Sequence, residues 1–260
     1  MKKKSRRFDL LGIVVPALVI VIWSVAPSAA NIPAYILPPL QNIVSGLLDF
    51  AFGWYNLNIY SGTMFEHISA SVVRVLNGFS RAAALGLAFG YVSGCSVTVN
   101  RLLNPFINFL RTIPGIAWLP ISIVWFGIGN TQSIFLISLA AFFPVYVNTC
   151  HGAMTVDDEL IDVARIFGAN TLQKFWYLIL PMSLKDVSVG LRIGLGLSWA
   201  YLVLGEMTGV NRGIGAVMQD ARMLGQNHMI IICMLVIALT AIVFDRLLNL
   251  IMKMVINKYD

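Results

Sequence analysis

Long apolar stretches separated by short polar segments restrict most strongly what this chain can fold into. A helix needs about 20 mainly apolar residues to cross a bilayer, and 58% of this chain is hydrophobic while only 12% is charged. Soluble domains carry about 25% charged residues, so the sequence predicts an all-α polytopic membrane protein with six transmembrane helices. The predicted spans are Leu10–Ala26, the Ala82–Val99 core of a helix over Phe65–Val99, Pro105–Phe126, Thr131–Cys150, Met182–Gly205 and His228–Val255.

The distribution of Lys and Arg predicts the orientation of these helices, because positive charges favour the cytoplasmic side of a membrane. The segments predicted to lie inside carry most of the cations, namely Lys2, Lys3, Lys4, Arg6, Arg7, Arg101, Arg165, Lys174, Lys185, Lys253 and Lys258. The segments predicted to lie outside carry Arg212 and Arg222. Both termini are therefore expected in the cytoplasm, with a basic tail over residues 1–9 and a transmembrane domain over 10–260. No basic soluble domain follows the tail, so no nucleic-acid partner is expected.

The connections between spans are read from charge and proline. Pro27–Glu66 contains no Lys or Arg and is predicted to be a long outside connection. Asn100–Asn104 is predicted to be a short inside loop, and Glu206–Asn227 an outside segment. Pro114 and Pro120 interrupt the third span, which is not expected to be one straight helix.

Small residues and two arginines mark the second helix. Gly86, Gly90 and Gly94 repeat every four residues, a spacing that lets helix backbones approach closely. We expect this glycine face at an interface with a second copy of the chain. Arg74 and Arg81 share one face and are expected to reach toward the outer interface or to pair within the bundle.

One polar segment, Asp157–Pro181, stands out between the apolar spans. Its periodicity predicts two short amphipathic helices that meet at Gly168–Asn170. Thr155 and Asp158 resemble a capping box for the first helix, and Asn170 or Thr171 can cap the second. A helix pair of this kind is predicted to contact something outside the membrane.

The sequence lacks the motifs of several other classes of protein. It contains no GxxxxGK[ST] phosphate-binding loop, no HExxH and no GxSxG, so neither nucleotide hydrolysis nor these hydrolase reactions are expected of it. Its three histidines are scattered and its three cysteines lie in apolar surroundings, where they are expected to pack as small hydrophobes. An intramembrane enzyme or an ion channel is disfavoured, because convergent catalytic groups and a ring of charges are both missing.

The polar segment also carries a resemblance to a known family. Residues 162–168, DVARIFG, and the later LILP at 178–181 resemble the cytoplasmic loop of the permease subunits of binding-protein-dependent ABC importers. That loop reads Glu-Ala-Ala, three residues, Gly and, further on, Ile/Val-x-Leu-Pro; Asp162 and Val163 are departures from it. The stretches Arg111–Pro114 and Phe143–Gly152 resemble the branch that handles sulfonates, taurine, nitrate and bicarbonate, and the second is most similar to aliphatic-sulfonate permeases.

The resemblance implies the type I importer permease fold, with a coupling loop over residues 155–181 that docks on a cytoplasmic ATPase. Such a chain is a transport subunit rather than an enzyme: ATP and Mg²⁺ are held by the ATPase, and the permease binds no cofactor. The positions that it places at the ATPase contact are Asp162, Ala164, Arg165, Gly168, Ala169 and Pro181.

The resemblance also implies partners, a location and a substrate class. The expected partners are an ATPase dimer, a second copy of the chain, an extracytoplasmic solute-binding protein and membrane lipid, in a bacterial inner membrane. Asn211–Arg222 could meet the binding protein, or could be a solvated loop. The expected cargo is a small anion, first an organic sulfonate or taurine, with nitrate, bicarbonate or another small nutrient as alternatives.

Four residues are candidates for the translocation pathway. Three of them are ionisable, and ionisable groups inside a bilayer are functional candidates by default. Arg192 could contact an anion or pair with a carboxylate, and both interpretations stay open. For Arg111 the pairing interpretation is favoured. Trp199, like Tyr201, could line the path, although packing is the commoner role. Glu206 could hold an outer gate or the helix bundle.

Overall fold

The computed structural model describes residues 11–29, 32–56 and 58–259. Within these ranges every regular element is helical, as the apolar periodicity predicts, whereas the basic tail over residues 1–9 lies outside the described residues. The helices are α1 Leu11–Ala29, α2 Leu40–Phe52, α3 Met64–Cys95, α4 Val97–Thr112, a 3₁₀ turn Gly115–Ala117, α5 Trp118–Phe126, α6 Asn130–Met154, α7 Asp158–Ile166, α8 Thr171–Lys174, a π-helical turn Phe175–Ile179, α9 Leu180–Glu206, α10 Ile214–Met223 and α11 Asn227–Ile256.

Four of the described helical segments are long and apolar enough to cross a membrane: α3, α6, α11 and the continuous stretch Thr171–Glu206 that ends in α9. The pair α4 and α5 would add a fifth span, although the two helices are bent by 84° at their junction. Two further apolar helical segments, Val14–Pro27 and Leu40–Phe52, are shorter. The predicted all-α membrane class is confirmed. By helix length and composition, however, the described residues contain four or five membrane spans rather than the predicted six.

The bend between α4 and α5 confirms that the third predicted span is not straight. Ile113 has extended backbone angles, with φ −70° and ψ 119°, which is what steric conflict with a following proline imposes. Pro114 then precedes the 3₁₀ turn that leads into α5.

The predicted inside loop Asn100–Asn104 is wrong, because these residues belong to α4. Ser96 ends the preceding helix instead, and its hydroxyl accepts a hydrogen bond from the Val99 amide at 3.4 Å. The asparagines at positions 100, 104 and 108 gave this stretch the composition of a loop. They recur every four residues and form one polar face of an amphipathic helix, along which Asn108 donates to the Asn104 side chain at 2.9 Å.

The predicted connection Pro27–Glu66 contains a helix that the sequence reading missed. α2 ends at Phe52, and Gly53 follows it with a φ of 69°, which suits glycine. The carboxylate of Asp49, which is buried, accepts hydrogen bonds from the Tyr55 amide at 2.9 Å and the Ser61 hydroxyl at 2.5 Å. The loop after α2 is therefore organised around the last turn of the helix.

The described residues form two compact units. One comprises the described residues up to Phe65 together with Val217–Leu235, and the other comprises Glu66–Ala216 together with residues 236–259. In the first unit Gly46 of α2 lies against Ile232, and the Tyr60 hydroxyl donates to the Asp220 carboxylate. Burial raises the pKa of Tyr60, and the hydrogen bond to Asp220 raises it further.

The second unit is built around α6, which packs against both α3 and α9. The glycines at positions 78, 86, 90 and 94 of α3 face Ile137, Val145, Thr149 and Ala153 of α6. The expectation that this glycine face joins two copies of the chain is therefore wrong, because α6 of the same chain occupies it. Gly190, Gly194 and Gly205 of α9 also approach α6 closely, so the small residues set the tight spacing of all three helices.

We expect Gly90→Ala to destabilise the chain, because an added Cβ would lie 2.6 Å from the Thr149 Cβ with backbone atoms close behind it. Overpacking of this kind costs about 1–3 kcal/mol. Gly196 of α9 is the matched control, since no atom lies within 4 Å of a Cβ added there, and alanine gains about 1 kcal/mol over glycine in a helix. Thermal unfolding of the two detergent-solubilised variants checks this; equal melting temperatures would contradict it.

Candidate functional site

The polar segment folds as predicted, into two short helices that meet at Gly168. α7 ends at Ile166, and Gly168 takes a φ of 78°, a left-handed conformation that glycine adopts without strain. Asn170 caps the second helix: its side chain accepts from the Gln173 amide and the Gln173 side chain accepts from the Asn170 amide, both at 2.8 Å. The predicted cap at Thr155 is wrong, because its hydroxyl donates to the Gly152 carbonyl at 3.2 Å and Asp157 is the residue that precedes α7.

The helix pair is joined to α9 without a break. Pro181 in the first turn of α9 has no N–H to donate to the Tyr177 carbonyl. The preceding turn widens accordingly, and the Leu180 amide bonds to the Phe175 carbonyl five residues earlier. Helical structure therefore runs through Thr171–Glu206, a length of 36 residues.

Large apolar side chains are exposed on this segment. Phe167 is 85% exposed, and Ile166 and Tyr177 are each 83% exposed. A groove of about 540 Å³ lies between the two helices, and its walls include Ala164, Gly168 and Ala169. Exposed apolar surface of this kind marks an interaction site. Asp162 and Arg165 pair with each other at 2.9 Å on the exposed side of α7.

A second polar cluster lies at the other end of α9, around Glu206. Its carboxylate is buried and accepts hydrogen bonds from the Ser71 hydroxyl at 2.8 Å, from Arg74 at 2.5 Å and from the Gly215 amide at 2.8 Å. A side chain at Gly213, where φ is 147°, would collide with this carboxylate. Glu206 and Arg74 therefore hold α3, α9 and the loop before α10 together.

The cluster extends to residues that the sequence reading did not single out. The His67 ring nitrogen lies 3.1 Å from the Gly213 amide, and Arg74 also donates to the Asn130 side chain at 2.8 Å. A groove of about 660 Å³ opens beside this cluster and is lined in part by Asn130, Gly209 and Arg212. The sequence does carry one signal for this arrangement: Gly209 and Gly213 flank a short loop that follows Glu206 at the end of α9.

Between these two ends, Arg192 and Asp245 form an ion pair that joins α9 to α11. Arg192 donates from Nε and Nη2 to the two carboxylate oxygens of Asp245, each at 2.9 Å. The two side chains are 44% and 41% exposed. Charges within a membrane are expected to face water or protein rather than lipid, so the face that carries this pair is expected to meet water or another protein.

Arg111 lies at a cavity of about 320 Å³ beside the α4–α5 bend, which Trp118, Asn148 and Tyr201 also line. Among the described residues, no carboxylate lies within ion-pair distance of Arg111. Trp199, by contrast, is buried in the core with Val75, Ile137, Leu195 and Leu202. The structure thus brings Arg111 and Tyr201 together and separates them from Arg192, Trp199 and Glu206.

No group of three or more His, Cys, Asp or Glu side chains in the described part of the chain could hold a metal ion. The cysteines Cys95, Cys150 and Cys233 are free thiols.

Comparison with known proteins agrees with this geometry. The family of binding-protein-dependent transport system inner membrane components matches residues 82–260. A Bacillus subtilis protein named for aliphatic sulfonates transport, the permease protein SsuC, is 33% identical over 96% of this chain and 88% of its own length. The taurine transport system permease protein TauC of Escherichia coli is 34% identical over 93% of this chain and 86% of its own length.

A nitrate import permease protein, NrtB of Leptolyngbya laminosa, is 34% identical over 75% of this chain and 71% of its own length. Among solved structures, a chain of the MetNI methionine ABC transporter in an inward-facing conformation superposes with a TM-score of 0.62. It is 17% identical, and the match covers 76% of this chain and 96% of that one. The predicted permease fold is confirmed by this likeness.

Proposed function

Because this chain belongs to the family of binding-protein-dependent transport system inner membrane components, in its sulfonate, taurine and nitrate branch, we propose that it forms the translocation pathway of an ATP-driven importer for a small anion. It is a multi-pass membrane protein and the permease subunit of an ABC importer. An organic sulfonate or taurine is the proposed cargo, which the names of two of the similar proteins support. Nitrate, bicarbonate and other small nutrients are the competing cargoes.

The observation that carries this proposal is the exposed apolar surface around Gly168. Phe167 and Tyr177 project from a groove whose floor contains Gly168 and Ala169. Docking an apolar helix face into a complementary groove is a common mode of recognition. We assign the partner as a cytoplasmic ATPase subunit, which supplies ATP and Mg²⁺, while this chain binds no cofactor itself.

Coupling follows from the continuity of the helix that begins at Thr171. One end of this helix carries the proposed ATPase contact, and the other end carries Glu206. Its middle section contains Arg192, together with Tyr201 at the cavity wall. A movement of the ATPase against Phe167 would therefore be transmitted along one continuous helix to the cavity lined by Tyr201 and to the cluster around Glu206. Small shifts at one site can produce larger rearrangements elsewhere in this way.

The remaining surfaces suit the other proposed partners. The groove beside Arg212 and Gly209 faces the end of α9 opposite to the ATPase contact, and we assign it to the extracytoplasmic binding protein. With this orientation we propose that both termini lie in the cytoplasm of a bacterial cell, as the Lys and Arg distribution favours. The open face of α9 that carries Arg192 and Gly196 is assigned to the pathway and to a second copy of the chain, with lipid around the assembly.

Uptake by the reconstituted complex tests this function. Proteoliposomes would hold the full chain with its ATPase subunit, and the binding protein would be added outside with a radiolabelled alkanesulfonate, taurine, nitrate or bicarbonate. We expect ATP-dependent accumulation of at least one of the first two, and none when the phosphate-binding lysine of the ATPase is replaced. Accumulation of nitrate or bicarbonate alone would reassign the cargo, and ATP-independent movement of all four would refute the importer.

A further inference from the structure

We propose that the cavity beside the α4–α5 bend is a transient binding site for the substrate anion, with Arg111 as its positive charge and Tyr201 as its hydroxyl donor. This inference rests on the proposed function and deepens it, because it names the site and the chemical class that the site selects. The class is an oxyanion that carries a short apolar group, such as an alkanesulfonate.

The position of the cavity is the first support. Its α6 wall runs from Leu139 to Asn148, which is the central part of the helix Asn130–Met154. Its α9 wall includes Leu197 and Tyr201, well inside the continuous helical stretch that ends at Glu206. The cavity therefore lies partway along both helices, away from their ends, and a break in a membrane helix, here 84° between α4 and α5, is the kind of place where transporters bind their cargo.

The charges are the second support. Arg192 is neutralised by two hydrogen bonds to Asp245, so that pair offers a passing anion no net charge. Arg111 lines the cavity and, among the described residues, has no carboxylate within ion-pair distance. An unpaired cation at membrane depth is costly unless water or an anion accompanies it. A single cation also gives a weak site, which a pathway needs in order to release its cargo.

The remaining walls define the cargo class. Trp118, Phe143 and Leu197 make most of the lining apolar, and about 320 Å³ is room for a small molecule. A short alkyl chain would lie against these side chains while its sulfonate meets Arg111. The Asn148 side chain donates one amide hydrogen to the Pro144 carbonyl at 2.8 Å, which leaves its second amide hydrogen as a donor. Nitrate and bicarbonate have no apolar part to use this surface.

The contact between Gly115 and Tyr201 ties the cavity to the bend. A Cβ at Gly115 would coincide with the Tyr201 hydroxyl, so only glycine lets α9 approach the start of α5 here. Because Tyr201 also lines the cavity, a change in the angle of the bend would alter the site.

Charge-selective labelling of a cysteine in the cavity wall tests this site. Leu197→Cys would be introduced into the full-length chain in proteoliposomes, with the exposed Cys95 replaced by alanine; Cys150 and Cys233 are buried. The probes are anionic sulfonatoethyl methanethiosulfonate and cationic trimethylammonioethyl methanethiosulfonate. We expect Arg111→Gln to lower the anion-to-cation ratio of labelling rates by about tenfold or more, since the lost unit charge lies in the same cavity as the thiol and acts on the two reagents in opposite directions.

Two control variants complete the design. Arg111→Lys should keep most of the ratio, and Arg81→Gln, which removes an exposed arginine outside the cavity, should leave it unchanged. An unchanged ratio in Arg111→Gln, or no labelling by either reagent, would overturn the site. If Arg111→Gln does not fold, Arg111→Lys still tests the site. An anion-to-cation ratio of labelling rates in Arg111→Lys no higher than the ratio that the same reagents give with a model thiol in solution would overturn the site too. The labelling needs neither ATPase nor binding protein, so the site and the import function can fail separately.

Discussion

Replacing Arg74 by alanine is expected to lower the free energy of unfolding by about 3–5 kcal/mol, because the change leaves Glu206 as a buried charge without its counter-ion. The two side chains are 8% and 0% exposed, and their N–O distance is 2.5 Å. Unfolding of the detergent-solubilised chain, followed by helical circular dichroism in increasing denaturant, measures this loss.

A surface ion pair in the same chain is the matched control. Arg212 and Glu66 lie 3.3 Å apart, with side chains 69% and 57% exposed, and exposed pairs are worth about 0–1 kcal/mol. Arg212→Ala should therefore change stability little. A loss in Arg74→Ala as small as that in Arg212→Ala would contradict the expectation.

A double variant separates the lost attraction from the cost of an orphaned charge. Arg74→Met combined with Glu206→Gln removes both charges, while the glutamine oxygen can still accept from Ser71 and Gly215. Buried pairs are commonly less costly to replace together than singly. We expect the double variant to be more stable than Arg74→Ala, and the opposite order would show that the hydrogen bonds to ionised Glu206 dominate the cluster.

The sequence predicted the helices well wherever apolar periodicity was long, and failed where composition imitates a loop. The asparagines of α4 recur every four residues, so helical spacing was present but was outweighed by their turn propensity. α2 was missed because it is short and stands between Pro39 and Gly53 in a stretch without basic residues. The glycine face of α3 was recognised, but its partner, α6, could not be identified from spacing alone.

The distance in sequence between interacting residues also decided which parts of the candidate site could be predicted. The coupling segment is local, so the pattern around Gly168 and the cap at Asn170 could be predicted from consecutive residues. The partners of the buried charges are distant: Glu206 lies 132 residues from Arg74, and Asp245 lies 53 residues from Arg192. Because the sequence alone did not show that Arg192 pairs with Asp245, Arg192 ranked above Arg111 as a pathway residue. The geometry favours Arg111.

Gly168→Val is expected to abolish stable association with the ATPase subunit and to lower substrate uptake at least tenfold. Gly168 takes a φ of 78°, which costs a β-branched residue roughly 1–2 kcal/mol or more. No atom of this chain lies within 4 Å of a Cβ added there, so the new side chain would project into the space that the partner is proposed to fill. Gly168→Asn should retain part of the uptake, because asparagine tolerates this conformation.

Gly225 provides a control for backbone strain alone. Its φ is 68°, and a Cβ there would also meet no atom within 4 Å, yet it follows α10 rather than α7. Gly225→Val should therefore carry a similar local strain while the ATPase still co-purifies with the chain. If Gly168→Val bound the ATPase as well as Gly225→Val does, the surface around Phe167 could not be the coupling contact. If both variants lost the ATPase, strain in the fold would be the cause and the contact would have to be sought elsewhere.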